Sequence, residues 1–162
     1  MLQRCYSEDY QQKEPTYVGC TVCDEWLTLS NFKKFIDNLD NGYQEGYQLD
    51  KDILIKGNKI YSPETCCFVP REINSLLLNK KLHRGNMPVG VEQRGKRFGA
   101  YCNNNGRRFH LGSFSTPEAA FLAYKKAKEQ YVKELAEKYY KEGKITERVY
   151  NALLNYRVEI TD

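Results

Sequence analysis

Residues Pro88–Tyr131 read PVGVEQRGKRFGAYCNNNGRRFHLGSFSTPEAAFLAYKKAKEQY, and this stretch decides the fold class of the second half. Val89–Gln93 forms a first strand, and Arg94-Gly95 turns it. Lys96–Asn103 forms a second, whose alternation sends Phe98, Ala100 and Cys102 to one face and Arg97, Tyr101 and Asn103 to the other. Asn104-Asn105-Gly106 suits a hairpin, because these residues tolerate positive φ. A third strand directs Phe109 and Leu111 to the core and leaves Arg108 and His110 outside. Thr116 then caps a helix that has Pro117 at its first position, with Ala120, Tyr124, Ala127, Tyr131 and Leu135 on its buried stripe. Gly143 ends that helix, and a last one from about Thr146 to Tyr156 carries Val149, Leu153 and Tyr156 on one face.

Charge singles out the same strands. Residues 1–82 hold 10 Lys/Arg against 12 Asp/Glu, whereas residues 83–162 hold 15 against 9. Arg94, Lys96, Arg97, Arg107 and Arg108 lie on or beside the strands, and Glu92 is the one acid between Pro88 and Phe114. A basic sheet backed by a helix suits a polyanion, which makes nucleic acid the expected partner.

The first half is less periodic. Met1–Tyr6 can form a helical turn. Thr28 or Ser30 caps a helix through about Asn38, with Leu29, Phe32, Phe35, Ile36 and Leu39 as its apolar stripe and Asn41-Gly42 as its stop. Leu49–Ile55 and Lys59–Tyr61 read as two strands of one hairpin, joined at Lys56-Gly57-Asn58. Thr65–Pro70 is short and apolar, and Arg71–Asn79 reads as a helix with Ile73, Leu76 and Leu77 inward. The fold class is therefore α+β, with a hairpin–helix module over 1–82, a linker at 83–87, and a three-stranded antiparallel sheet packed on a helix, plus a further helix, over 88–162.

No apolar run approaches the roughly 20 residues of a membrane span, and no signal-peptide pattern opens the chain. A cytoplasmic protein with reduced thiols and no membrane partner is expected from that. Cys20-Thr21-Val22-Cys23 and Cys66-Cys67 invite a zinc reading, but adjacent cysteines cannot readily face one metal, so buried free thiols are the better expectation.

Gly90-Val91-Glu92-Gln93-Arg94-Gly95-Lys96-Arg97-Phe98-Gly99-Ala100-Tyr101, with Leu111-Gly112-Ser113-Phe114 and the Thr116 cap, resembles the AP2 type of DNA-binding domain found in plant transcription factors and in phage nucleases and integrases. The resemblance implies a sheet whose outer face enters the major groove of double-stranded DNA. It assigns contacts to Arg94, Lys96, Arg97, Tyr101, Asn103, Arg107, Arg108 and His110. Chemistry agrees, since Arg pairs with guanine, Asn with adenine and Lys anchors phosphate. His110 stands where plant members commonly carry tryptophan, so the docking mode carries over and the base preference does not.

Val22-Cys23-Asp24-Glu25-Trp26, Asn31-Phe32, Leu49-Asp50-Lys51-Asp52 and Asn58–Cys66 resemble the HNH-type endonucleases of phages that carry an appended AP2 domain. That resemblance implies one divalent cation, Mg²⁺ or Mn²⁺, and cleavage or nicking of DNA. Asp50 or Asp52 would be the strand ligand, Asn74 the helix ligand and Asn58 the positioning amide. The position of the family's general-base histidine reads Asp50-Lys51-Asp52, and the two histidines, His83 and His110, lie outside the hairpin. Lys51 would need a strongly lowered pKa to act as base, and two flanking aspartates oppose that. An aspartate as base, weak activity, or a module that keeps its fold without catalysis are the alternatives. A catalytically inactive DNA-binding protein is thus the competing function, and a protein-binding decoy a third; the protein partner is unknown.

Overall fold

The computed structural model describes all residues except 39, 41, 78–86 and 105. The chain mixes helices with small sheets, an α+β arrangement. It forms two compact units: residues 1–76 with 139–152, and residues 77–138 with 153–162. The Leu39 and Asn41 expectations, the end of the helix at Asn79, residues 83–86 of the linker with His83, and the hairpin residue Asn105 lie outside the described residues.

The first unit opens with two short helices, α1 (Leu2–Tyr6) and α2 (Glu8–Lys13). Ser7 separates them in an extended conformation and caps α2 by accepting a hydrogen bond from the Tyr10 backbone N–H. Gln11 reaches back to donate to the Arg4 and Cys5 carbonyls, which the end of α1 leaves open. Strand β1 (Thr21–Val22) follows, then a 3-10 turn carrying Trp26, then α3 (Leu29–Asp37). Strands β2 (Gln48–Asp50), β3 (Ile60–Tyr61) and β4 (Cys67–Val69) lead into α4 (Arg71–Leu76).

The expected hairpin does not form. β2 pairs antiparallel with β4, Asp50 opposite Cys67, while β3 pairs parallel with β1, Tyr61 opposite Val22. Lys51–Ile55 leaves the strand because the Asp50 carboxylate accepts hydrogen bonds from the Asp52 and Ile53 backbone N–H groups, both at 2.7 Å. An aspartate that binds the backbone two and three residues on offers a turn in place of a ladder. The expected turn at Gly57 is present, with φ at 75°.

Around these strands Cys5, Cys20, Val22, Trp26, Phe35, Tyr61, Cys66 and Phe68 form one buried cluster. Its aromatic centre is Trp26, 4.6 Å from Phe35 and 5.0 Å from Phe32 between ring centroids. Truncating Phe35 to alanine would cost about 3–5 kcal/mol. Phe32, Phe35 and Ile36 pack as the stripe requires, but Leu29 is 80% exposed, since the first turn of α3 lies beyond the core. Tyr139–Ala152 belongs to this unit too: Arg148 donates to the Pro63 carbonyl, Tyr47 to that of Lys144, and Tyr140 stacks on Tyr150.

The second unit is built on strands β5 (Val91–Arg94), β6 (Arg97–Asn104) and β7 (Arg107–Phe114), antiparallel in that order. Against the inner face lies α5 (Pro117–Lys141), capped by Thr116, whose hydroxyl accepts from the Ala119 N–H. The last helix, α6 (Glu147–Leu154), belongs through Ala152 to the first unit and buries Val149 and Leu153. Val91, Ala100, Cys102, Ala120, Phe121, Tyr124 and Val158 make the second core. Ala100 and Ala120 are fully buried, and so small a pair lets a helix lie close on a sheet. Gly90 admits the Tyr124 ring: a Cβ there would lie 2.1 Å from it. Phe109 departs from expectation. It pairs with inward-facing Cys102 yet is 47% exposed, because β7 is an edge strand.

Candidate functional site

Two clusters hold the residues that carry chemistry, one in each unit. In the second unit, register places Glu92 and Arg94 of β5, Arg97, Tyr101 and Asn103 of β6, and Arg108 and His110 of β7 on the outer face. A bulge between the Ala100–Gly112 and Tyr101–His110 pairs gives β7 one extra residue, Leu111. That bulge keeps His110 opposite Tyr101 while Leu111 packs against the core.

Tyr101 is the centre of this face. Its ring lies over Gly99, where a Cβ would approach it to 2.8 Å. The Arg108 guanidinium sits 3.9 Å from the ring centroid and that of Arg94 5.8 Å, with the His110 ring 5.0 Å away. Glu92 bonds both guanidiniums, Arg94 at 3.1 Å and Arg108 more closely. Against the cost of burial, the hydrogen bonds from Arg108 and Arg94 hold the Glu92 carboxyl below the usual range. One carboxylate and one aromatic ring thus fix two arginines in place, with their side chains about half exposed. Arg97 donates to the Ser113 carbonyl at 2.6 Å and crosses from β6 to β7. Lys96 and Arg107 are exposed beside the two turns. A concave region of about 740 Å³ follows the face, lined by Gln93, Arg94, Tyr101, Asn103 and Arg108 among others. Glu92 was visible in the sequence only as an opposing charge; pairing β5 with β6 and β6 with β7 reveals its role as organiser.

In the first unit the loop after β2 gathers Asp50, Lys51, Asp52 and Asn58. Lys51 is 7% exposed. Its ammonium donates to both Asp52 carboxylate oxygens, at 2.9 and 2.7 Å, and to the Asn58 carbonyl at 2.8 Å. The Asn58 side-chain amide donates to the Lys51 and Ile60 carbonyls and accepts from the Ile60 N–H. Burial raises the Asp50 carboxyl above its usual range, against the lowering effect of its two backbone hydrogen bonds. Asn74 lies apart from this network, and its amide donates to Gln48 at 2.6 Å.

This arrangement does not fit a divalent cation. Asp52 spends both oxygens on an ammonium, which would repel a metal ion at that carboxylate. One Asp50 oxygen accepts two backbone N–H bonds, and Asn74 donates to Gln48. Lys51 donates to three acceptors and ties the loop together between Asp52 and Asn58. The six cysteines are free thiols, and burial pushes the Cys66 thiol up to about 11 and Cys67 further. Neither is poised as a thiolate at neutral pH. Among the described residues, no helix is long and apolar enough to cross a membrane.

Comparison of the chain with protein-family models, curated proteins and solved structures found no match. The functional reading therefore rests on the two clusters.

Proposed function

We propose that this protein binds double-stranded DNA through the outer face of the β5–β6–β7 sheet. The observation that carries this reading is the Tyr101 cluster, in which Arg94 and Arg108 are oriented before any ligand arrives, with Arg97, Asn103 and His110 on the same face. Pre-oriented guanidiniums lose less freedom on binding than free ones, and they suit guanine edges and phosphates alike. The face is that of an AP2-like domain, in which strands rather than the helix enter the major groove.

The test uses the full chain and duplexes selected from a random library, with affinity measured by fluorescence anisotropy across a salt series. The logarithm of affinity should fall linearly with that of salt, by about 0.9 for each phosphate neutralised. Replacing Arg94 and Arg108 together by alanine should weaken binding roughly tenfold or more and flatten that slope. Unchanged affinity and slope in the double variant would remove the sheet as the binding surface.

The antiparallel pair β2–β4, with α4 directly after β4, supports a second form of the reading, a DNA endonuclease similar to the HNH type. Its loop argues for the form without catalysis, because the candidate base and ligands are already committed to the protein's own groups. Supercoiled plasmid incubated with the full chain and Mg²⁺ or Mn²⁺ should stay uncut. Metal-dependent nicking that disappears on Asp50→Asn would establish the endonuclease instead.

A further inference from the structure

Arg4 is half-buried in the first unit, and among the described residues no carboxylate pairs with it. Its guanidinium lies 5.2 Å from the centroid of the Tyr17 ring, and Tyr61 lines the cavity beside it. That cavity, of about 280 Å³, is also lined by Met1, Arg4, Gln48, Leu49 and Asn74. Among the described residues, no acidic side chain lines this cavity. Asn74 donates to the side-chain oxygen of Gln48, and among the described residues none pairs with the exposed Gln48 N–H₂ group. Burial holds the Tyr61 phenol well above its ordinary pKa, so its hydroxyl keeps its proton.

A partly buried cation without a counter-charge is costly, and the surroundings here supply donors rather than a carboxylate. We propose that this cavity binds a phosphate group, held by the Arg4 guanidinium and by the Gln48 amide that Asn74 orients. Guanidinium offers paired N–H donors that match two phosphate oxygens, which an isolated amide pocket could not do. A metal ion is the wrong occupant: the guanidinium would repel it, and only neutral oxygens face it. The phosphate can belong to a nucleic-acid backbone or to a free phosphate, and the chemistry of recognition is the same. The proposal stands on the surroundings of Arg4 and not on the reading of the sheet.

The test follows the side-chain NMR signals of Arg4 Nε and of the Gln48 and Asn74 amides in the full chain. Inorganic phosphate, titrated against chloride at matched ionic strength, should shift all three along one saturable curve. Arg4→Gln should abolish saturation, and Arg4→Lys should retain it at several-fold weaker affinity. Because Arg4 also packs on Tyr17, Gln48→Leu provides a variant that leaves that packing in place, and it should weaken phosphate several-fold. A DNA duplex that shifts the same signals at lower concentration than phosphate identifies a backbone phosphodiester as the occupant. Shifts with phosphate and none with duplex identify a free phosphate. Repeating the titration with Arg94 and Arg108 replaced by alanine should leave phosphate binding unchanged, so loss of DNA binding at the sheet is seen separately. Absence of a saturable shift in the folded wild type, or broadening of the Gln48 and Asn74 signals by Mn²⁺ alone, would overturn the proposal.

Discussion

The loop after β2 and the outer face of β5–β6–β7 are both dense in charge, and they use it in opposite ways. In the loop, Lys51 turns inward and spends its donors on Asp52 and the Asn58 carbonyl, while Asp50 binds backbone N–H groups. On the sheet, Arg94 and Arg108 share one carboxylate and remain about half exposed. The difference teaches that charges close together in sequence can be spent on the protein's own groups or left half exposed at its surface. Asp50-Lys51-Asp52 resembles a catalytic motif in sequence, and in the fold its charged groups bond to Asp52, to the Asn58 carbonyl and to backbone N–H groups of the same loop.

The comparison breaks most readily at Lys51. Lys51→Ala removes hydrogen bonds from a nearly buried ammonium and should cost roughly 2 kcal/mol of stability. Thermal unfolding would read that loss, with the anisotropy of the folded variant on duplex DNA unchanged. If stability held and DNA affinity collapsed, the loop rather than the sheet would be the interface.

Gly99→Ala sharpens the other side. A Cβ at Gly99 would press on the Tyr101 ring at 2.8 Å, so the ring must swing away and the arginines lose their platform. DNA affinity should fall several-fold, with near-ultraviolet circular dichroism reporting the displaced tyrosine. An unchanged affinity with the tyrosine displaced would show that Tyr101 does not organise the interface.

Glu92→Gln should move affinity in the other direction. It removes the one negative charge on the face, so binding to random duplex should rise a few-fold and the salt dependence should steepen. Selection on a random library should at the same time return a less sharply defined motif, because the arginines lose their anchor. A sharper motif would mean that Glu92 only competes with DNA.

The smallest effect is expected at Asp50. Its folded pKa is raised, so the protonated form is favoured in the fold and ionisation above that pKa lowers stability. Asp50→Asn keeps an oxygen acceptor and removes the buried charge. Relative to wild type the variant should gain stability as pH rises from the ordinary carboxylate range through the raised pKa, and nothing at lower pH, where both are neutral. Chemical denaturation at several pH values checks the sign, and a variant that loses ground as pH rises would contradict it.

Much of the second unit was legible because its signals are local. Strand alternation with a period of two separated Ala100 and Cys102 from Tyr101 and Asn103, Gly95 and Gly106 marked the turns, and Thr116-Pro117 marked the helix start. The helix stripe was legible in part: Ala120, Tyr124 and Leu135 are buried as read, but Phe121, Val132 and Ala136 are buried as well. A helix of 25 residues changes its neighbours along its length, so one stripe cannot describe it.

By itself the sequence determined the α+β class, the three-stranded sheet with its helix, and the concentration of basic side chains on one sheet face. Each follows from short-range periodicity, turn stereochemistry or charge order, which the chain carries within a few residues. Tertiary structure decided which strands pair across long separations: β2 with β4, and β3 in parallel with β1. It also buried Lys51 against Asp52, made Glu92 the joint partner of two arginines, and set Arg4 beside a cavity lined by Gln48, Tyr61 and Asn74. Those outcomes depend on which distant groups exclude water from one another, and no local pattern encodes that.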